Sequence, residues 1–184
     1  MTIALGCIAD DFTGATDLAS TLVKQGMSVV QINGIPKQPI TLTETDAVVI
    51  ALKSRTAPTH QAIAESLEAL HWLQKQGAEQ IFFKYCSTFD STDIGNIGPV
   101  TEALLTVMGE NFTIACPAFP TNGRTLYQGH LFVGSQLLSD SGMRDHPLTP
   151  MRDANLVSVL DRQTKGKVGL IPWTVVNQGT PAIK

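Results

Sequence analysis

The amino-acid sequence predicts an α/β fold: a mostly parallel sheet flanked by helices on both faces, of the Rossmann-like kind. Two observations carry this prediction. Short apolar runs, rich in Val, Ile and Phe, have the length of fully buried strands. Between these runs lie stretches whose apolar residues recur with the period of a helix. An alternation of strands and helices favours parallel strands that are covered on both sides.

The strands and helices can be placed along the chain from these patterns. Six strands are predicted, at residues 3–9, 28–32, 47–52, 80–85, 112–116 and 168–172. Four helices are predicted, at residues 16–25, 59–76, 99–108 and 151–163. Gly77 is the expected C-terminal stop of the second helix. Residues 119–149 are rich in Gly, Pro and polar side chains, and a long irregular excursion of this kind is usually functional.

Length and composition limit the classes of protein to which the chain can belong. Its 184 residues suffice for one domain with a buried core, 43% of them are hydrophobic, and the formal net charge is −3. This composition argues against a disordered chain and against a nucleic-acid partner. No apolar stretch reaches the roughly 18 residues of a membrane-spanning helix, and the N-terminal residues do not predict a signal peptide. Three cysteines without a C-x-x-C pair are typical of a reduced, cytoplasmic protein, and assembly into a homo-oligomer stays open.

The loop after the first strand contains a pair of acidic residues. Ligands of open parallel sheets bind outside the carboxyl ends of the strands, which makes this loop a candidate site. Asp10 and Asp11 repel each other unless a cation, a donor or a ligand hydroxyl compensates them. Gly14 allows a ligand to approach the backbone where a helix begins. Asp11 or Thr13 could instead cap that helix, but capping needs only one such residue. The pattern Asp-Asp-x-Thr-Gly therefore favours a functional loop.

Basic residues follow the third strand and end the fourth. Arg55, preceded by Ser54, has a planar fork that suits a carboxylate or a phosphate, although a solvated basic turn explains it equally well. Lys84 lies in an otherwise apolar strand, so its ammonium group needs a partner. The candidate partners are Asp10, Asp11 and Asp90.

The loop after the fourth strand is rich in hydroxyl groups, which come from Ser87, Thr88, Ser91 and Thr92. These groups, together with Asp90, suit a polyhydroxylated or phosphorylated ligand. Asn96 and Gly98 follow at a predicted helix start, where backbone N–H groups favour anions. A turn whose Ser and Thr side chains cap it locally is the alternative. The neighbouring Lys84 favours ligand binding.

Further along the chain, Arg124 is presented on a loop that two prolines stiffen and Gly123 turns. Arg152 follows the long excursion. The spacing of His and Cys does not predict a metal site. The chain has no phosphate-binding P-loop, no dinucleotide-binding glycine motif and no nucleophile elbow. The residues alone thus predict an α/β domain that binds a small polar anion.

Four ordered segments extend these observations. The first, at residues 8–17, reads IADDFTGATD, and the second, at residues 84–98, begins KYCSTFDST and ends GNIG. The third and fourth, at residues 117–125 and 147–153, read PAFPTNGRT and PLTPMRD. Together they resemble the motifs of the four-carbon acid sugar kinase family. The CSTFDST sequence is similar to that of its 3-oxo-tetronate kinase branch.

This resemblance implies an ATP-dependent kinase of two domains that phosphorylates the terminal hydroxyl of a four-carbon keto sugar acid, converting 3-oxo-tetronate to its 4-phosphate. The N-terminal domain would hold the sugar acid, and the C-terminal domain would hold ATP and Mg²⁺. Because the chain ends where the second domain should begin, we expect residues 1–184 to be the N-terminal sugar-acid-binding domain of a C-terminally truncated chain. We expect that domain to be inactive by itself.

The resemblance also suggests roles for the candidate residues. Asp10 and Asp11 would contact substrate hydroxyls, and one of them would act as the base. Lys84 would hold the acidic pair or neutralise the charge of the transferred phosphate. The candidates for the substrate carboxylate are Arg55, Arg124 and Arg152. The remaining predicted substrate-binding residues are Thr13, Gly14, Asp17, Ser54, Ser87, Thr88, Asp90, Ser91, Asn96 and Gly98.

Two other functions stay open. The chain could bind a sugar acid without catalysing its phosphorylation, or it could assemble with a separate ATP-binding domain. An Asp-dependent phosphatase is disfavoured, because phosphatases of that class need Asp-x-Asp, whereas Asp10 and Asp11 are adjacent.

Overall fold

The computed structural model describes residues 3–183 of the chain. These residues form two compact units. The first unit combines the chain up to Cys86 with Pro99–Thr113, and the second combines Ser87–Gly98 with the chain from Ile114 onward.

A four-stranded parallel sheet forms the centre of the first unit. Its strands are β1 (Ile3–Ala9), β2 (Val29–Asn33), β3 (Ala47–Ala51) and β4 (Ala78–Lys84), in the order β2-β3-β1-β4. All three strand pairs are parallel. The accompanying helices are α1 (Phe12–Lys24), α2 (Thr59–Lys75) and α3 (Ile97–Met108), of which α3 contributes its residues from Pro99 onward to this unit.

Helices cover both faces of this sheet because its two inner strands are apolar on both sides. On one face, Ile8 and Ile50 pack in a cluster with Leu70 of α2 and Leu104 of α3. On the other face, a smaller cluster joins the sheet to α1; its buried members are Cys7, Ala9, Ala15, Val49 and Ala51. The α/β class, the parallel strands and the helices on both faces are confirmed. Gly77 has the left-handed φ of +82° that a glycine stop provides after α2.

Two of the six predicted strands are absent from the described residues, so the prediction was wrong there. Residues 112–116 have no regular secondary structure, and Phe112 and Ile114 are about two-thirds exposed, at 69% and 68%. The burial that stabilises an inner strand is therefore missing. Residues 168–172 are also irregular, because Leu170 and Ile171 are partly exposed and Pro172 lacks the N–H group of a ladder bond.

The second unit contains a small antiparallel sheet in the excursion that was predicted to be irregular. Its strands are β5 (Arg124–Tyr127), β6 (His130–Val133) and β7 (Gln136–Leu137), in sequence order. Gln128 and Gly129 join the first two strands, and both have a positive φ, at 49° and 77°. Two such residues are typical of the two-residue hairpin turns that match strand twist. Single-turn 3₁₀ helices at Pro120–Asn122 and Leu138–Asp140 precede and follow the sheet.

The last predicted helix is shorter than expected. Helix α4 comprises Leu156–Asp161 rather than residues 151–163. Asp153 accepts a hydrogen bond from the backbone N–H of Asn155, and Asn155 accepts one from Ser158, so two successive side-chain turns delay the start of the helix. Two short helices follow, α5 (Trp173–Val176) and α6 (Thr180–Ile183). None of the helices described within residues 3–183 has the length and apolar character needed to cross a membrane.

Candidate active site

The carboxyl edge of the parallel sheet brings together the residues that follow β1 and β3 and the last residue of β4. Ala9, the last residue of β1, lies between two neighbouring strands. It pairs with Ala51 of β3 on one side and with Lys84 of β4 on the other. The next residue, Asp10, donates its N–H to the Lys84 carbonyl at 3.0 Å. Its own carbonyl accepts from the N–H of Ser54, also at 3.0 Å. Backbone hydrogen bonds thus connect the residues after β1 with the last residue of β4 and with the residues after β3.

Asp10 and Arg55 form a bidentate ion pair at this edge of the sheet. The Arg55 Nε donates to Asp10 Oδ2 at 3.0 Å, and its Nη2 donates to Oδ1 at 2.8 Å. The Asp10 side chain is 6% exposed and that of Arg55 is 19% exposed, so the pair is largely shielded from water. This bidentate geometry fixes the orientation of both groups. Arg55, predicted to meet a substrate carboxylate, instead faces two carboxylates of its own chain.

Asp11 has two partners. Its Oδ1 caps α1 by accepting the N–H of Gly14 at 2.7 Å, and the same oxygen lies 2.9 Å from Arg55 Nη2. The capping interpretation of Asp11 is therefore correct, and the ion pair with Arg55 adds a second role. A Cβ atom on Gly14 would lie 2.6 Å from Asp11 Oδ1 and 3.3 Å from Lys84 Nζ. Glycine is required here because these two charged groups approach the helix start so closely.

Lys84 completes the cluster. Its half-buried ammonium group donates to the Tyr85 carbonyl at 2.7 Å, which is a partner the sequence did not suggest. It also lowers the pKa of Asp10 through space. We refer to Asp10, Asp11, Arg55 and Lys84 as the acidic-basic cluster.

Burial and pairing act in opposite directions on the pKa of Asp10. Burial raises the pKa of this carboxyl, and the hydrogen bond and charge of Arg55 lower it, as does Lys84. The net direction is upward from the usual aspartate value. Burial alone would lower the pKa of Arg55, but the hydrogen bond to Asp10 raises it. Asp10 thus binds a proton more readily than an exposed aspartate does.

The remaining candidates of the first unit differ in exposure. Ser54 is buried beside the Asp10 backbone, whereas Thr13 and Asp17 lie on exposed positions of α1. The structure thus places Ser54 in the cluster's backbone network. It leaves Thr13 and Asp17 at the helix surface.

The hydroxyl-rich loop lies in the second unit and is folded on itself. The Thr88 hydroxyl donates to Asp90 Oδ1 at 2.6 Å. The Ser91 side chain is buried, and its Oγ accepts the N–H of Ile97 at 3.4 Å. Asn96 is buried as well, whereas Ser87 is half-buried. Part of the turn-capping alternative is therefore correct, because Ser91 holds the start of α3.

Sequence reasoning missed two residues that hold this loop. The Gln163 side chain bonds to Ser91, Thr92 and Gly98, and Arg162 pairs with Asp93. Both residues lie 69 or more positions after Ser91 and Asp93, and a single sequence carries no signal for such a pairing. Only the helical pattern of residues 151–163 placed them on a definite element.

The two other predicted arginines have different surroundings. Arg124 is half-buried and donates through Nη1 to the Asn122 carbonyl. Its Nε is enclosed and has no hydrogen-bond partner among the described residues. Arg152 is 74% exposed and lies 3.6 Å from Asp145, which is equally exposed. A loose surface pair of this kind contributes little to stability.

Comparison with known proteins assigns the family. The model of the sugar-binding N-terminal domain family matches residues 5–184. The chain belongs to this family. The recognition that rested on the four motifs is confirmed for this N-terminal part.

Named relatives and solved structures agree with the family assignment. Two proteins named 3-oxo-tetronate kinase, from Burkholderia multivorans and Pseudomonas fluorescens, are 63% and 64% identical to this chain over 98% of its length. A crystal structure of a Haemophilus influenzae DUF1537 protein superposes with a TM-score of 0.94 at 56% identity and covers 97% of this chain. The chain spans 42% of the length of the two kinases and 43% of that structure. Family members that resemble it over its length are thus named as kinases.

Proposed function

We propose that this chain is the sugar-acid-binding part of an ATP-dependent kinase that converts 3-oxo-tetronate to 3-oxo-tetronate 4-phosphate. The observation that carries the proposal is the acidic-basic cluster at the carboxyl edge of the sheet, in a chain 63% identical to a protein named as that kinase. Two adjacent carboxylates that Arg55 holds, one of them partly exposed, suit recognition of hydroxyl groups, because carboxylates are strong hydrogen-bond acceptors.

Within this proposal, Asp11 rather than Asp10 contacts a substrate hydroxyl. The Asp11 side chain is 28% exposed, whereas that of Asp10 is 6% exposed. Both oxygens of Asp10 accept from Arg55. Asp11 therefore accepts the proton of the attacking hydroxyl, and Asp10 orients Arg55, which in turn holds Asp11. A general base must reach the proton that it removes, and exposure favours Asp11 in this respect.

The basic residues have complementary proposed roles. Lys84 neutralises negative charge that gathers near Asp11 as the phosphoryl group is transferred. Arg55 fixes the positions of the two carboxylates relative to each other. Arg124 stays a candidate for the substrate carboxylate on the family resemblance, and its enclosed Nε has no hydrogen-bond partner among the described residues. Arg152 stays a weaker candidate because of its exposure.

The site for ATP and Mg²⁺ needs a separate proposal. Residues 3–183 contain no group of three or more His, Cys, Asp or Glu side chains placed to hold a metal ion. Both carboxylates of the acidic-basic cluster are engaged by Arg55. The described residues thus do not fit a protein-only metal cage. We propose that ATP and Mg²⁺ are held by the C-terminal part that the family resemblance implies.

Binding of the sugar acid tests the proposal. We expect calorimetry with freshly prepared 3-oxo-tetronate to show one site on the chain, and butyrate, which lacks the hydroxyl groups, to show none. Asp11→Asn preserves an oxygen that can cap α1 but removes the charge, so the fold should persist while the affinity falls at least tenfold. Glu68→Gln makes the same chemical change at an exposed position of α2 and should leave the affinity unchanged. Equal affinity of Asp11→Asn and wild type would remove Asp11 from the site.

A further inference from the structure

The side chain of Gln163 forms hydrogen bonds with both ends of the loop at residues 91–98. Gln163 directly follows α4 and Arg162, and its Oε1 accepts the N–H of Gly98 at 2.9 Å. Its Nε2 donates to Ser91 Oγ at 2.9 Å and to the Thr92 carbonyl at 2.5 Å. A single amide thus satisfies a donor at the start of α3 and two acceptors at the other end of the loop.

The packing around this amide is tight. A Cβ atom on Gly98 would lie 2.6 Å from Gln163 Cβ and 2.9 Å from Thr164 Cγ2. Close approach of α3 to the residues after α4 therefore requires glycine at this position. Ser91 Oγ, which accepts from Gln163, also accepts the N–H of Ile97. The bonds form a chain in which the position of Gln163 sets the position of Ser91, and Ser91 sets the first turn of α3.

Arg162 supports the same arrangement from outside. Its Nε donates to Asp93 Oδ1 at 2.7 Å, and its Nη2 donates to Asp153 Oδ2 at 2.9 Å. Asp153 in turn binds the N–H of Asn155, the residue that caps α4. Arg162 thus connects the end of α4 with its start, through Asp153, and with the middle of the loop, through Asp93.

We propose that Gln163 is a positioning residue for recognition of the sugar acid. Its three hydrogen bonds hold the loop at residues 91–98 in the arrangement that binds the substrate. This inference rests on the proposed function, since the loop contains the predicted substrate residues Ser91, Asn96 and Gly98. Neither a carboxylate nor an apolar side chain can replace the amide, because the site demands an acceptor and two donated bonds from one terminal group.

Three variants of the full 184-residue chain test the inference. Gln163→Met keeps the length of the side chain and removes all three bonds. Gln163→Glu keeps the acceptor for Gly98 but turns a carboxylate oxygen toward the Thr92 carbonyl. Gln136→Glu makes the same change on the exposed strand β7 of the same unit and is the control. At pH 7.5 we expect both Gln163 variants to bind 3-oxo-tetronate at least tenfold more weakly than wild type, and the control to bind equally well.

Amide exchange measured by NMR in the ligand-free chain provides an independent readout. In wild type, the amides of Ile97 and Gly98 should be protected. Gln163→Met should lose the protection of both at every pH. Gln163→Glu should lose mainly that of Ile97 at pH 7.5 and regain it below about pH 4, because a protonated carboxyl can again donate to Thr92 or Ser91. The ordinary pKa of glutamate, about 4.3, places this rescue within reach.

The two readouts separate failure of this inference from failure of the proposed function. If wild type binds 3-oxo-tetronate and the folded Gln163 variants bind it equally well, the positioning role is wrong. If the exchange rates of Ile97 and Gly98 do not change in Gln163→Met, it is also wrong. If wild type fails to bind the sugar acid while Gln163→Met still loosens both amides, the proposed function is wrong. In that case Gln163 still positions the loop, but the loop does not bind the sugar acid.

Discussion

At the scale of single residues, adjacent carboxylates acquire different chemistry from their positions at the end of one strand. Asp10 turns inward and is shielded, and Arg55 occupies both of its oxygens. Asp11 is more exposed and begins a helix, where the N–H of Gly14 binds it. Both positions could be located from the sequence, because two adjacent carboxylates at a strand end are unusual. Which one is buried could not, since a shift of one residue exchanges the two faces of a strand.

The Asp10–Arg55 pair leads to a prediction about stability. Arg55→Met leaves Asp10 buried and without its main cation, and loss of one partner of a buried pair typically costs about 3–5 kcal/mol. Arg55→Lys restores the charge but not the fork, so we expect it to be destabilised less. Urea unfolding at pH 7.5 measures both changes. Arg152→Met, which breaks the exposed pair with Asp145, should change the stability by less than about 0.5 kcal/mol.

The pH dependence of the Arg55→Met effect has a definite sign. Because the pKa of Asp10 is raised in the folded state, native stability falls as the pH rises from the ordinary aspartate pKa to the raised value. Loss of Arg55 removes the interactions that lower the pKa of Asp10. In Arg55→Met, the pH range over which stability falls therefore extends to higher pH. The difference in unfolding free energy between wild type and Arg55→Met should therefore be smaller at pH 5 than at pH 7.5. A difference that does not change with pH would mean that Asp10 stays ionised without Arg55.

At the scale of elements, buried and periodic segments were predictable and exposed apolar segments were not. Strand β1 has the predicted bounds, and α2 ends one residue before its predicted end. Both elements bury an apolar surface, and the recurrence of apolar residues in their sequences indicates which side chains are buried. Residues 112–116 have the same apolar character but remain exposed, because an apolar run does not specify a neighbouring strand. The hairpin of β5 and β6 was missed because its turn, Gln128-Gly129, lacks the more familiar Asn or Asp before the glycine.

The start of α1 should not tolerate a side chain at Gly14. Alanine has the better helix propensity by about 1 kcal/mol, which favours Gly14→Ala. Against this, the new Cβ would lie 2.6 Å from Asp11 Oδ1, so the cap is displaced at a cost of about 0.5–2 kcal/mol and the packing near Lys84 is strained by about 1–3 kcal/mol. We expect a net loss of roughly 0.5–4 kcal/mol in thermal or urea unfolding.

Gly142→Ala is the matched control for this substitution. A Cβ atom at Gly142 would meet no other atom within 4 Å, and its φ is not left-handed. Its effect on stability should be close to zero. A stabilised Gly14→Ala variant would show that the cap and its surroundings adapt without cost.

The exposed segment at residues 112–116 should contribute little to the stability of the chain. The double substitution Phe112→Ser, Ile114→Ser should change the unfolding free energy of the chain by less than about 1 kcal/mol, because both side chains are already in water. Ile8→Ala, which removes a fully buried side chain of β1, should cost about 2–5 kcal/mol. If the double substitution costs as much as Ile8→Ala, residues 112–116 form an inner strand after all.

At the scale of the whole molecule, the chain corresponds to one part of its longer relatives. It spans 42% of the Burkholderia multivorans kinase to which it is 63% identical. Its length and motifs were sufficient to predict the family. They were not sufficient to predict the division into two units, because residues 99–113 return to the first unit after a segment that belongs to the second.

The proposed division of labour predicts that the 184-residue chain does not release ADP. Phosphoryl transfer depends on holding the nucleotide phosphates and Mg²⁺ in line with the acceptor hydroxyl, and we assign that task to the C-terminal part of the relatives. A coupled assay with ATP, Mg²⁺ and 3-oxo-tetronate should remain at the level of the buffer control. A full-length relative assayed under the same conditions should be active. Turnover by the 184-residue chain would contradict this division.

The acidic-basic cluster contains two carboxylates and two cationic groups, so its formal charges cancel. An arriving anion therefore gains little attraction from it beyond the Debye length of about 8 Å at physiological salt. The chain as a whole carries −3, which adds a weak repulsion. A negatively charged ligand would thus encounter this cluster without electrostatic acceleration, and lowering the ionic strength would not speed its arrival. Selection among acids would depend on short, directional bonds formed after contact, which distinguish hydroxyl patterns rather than total charge.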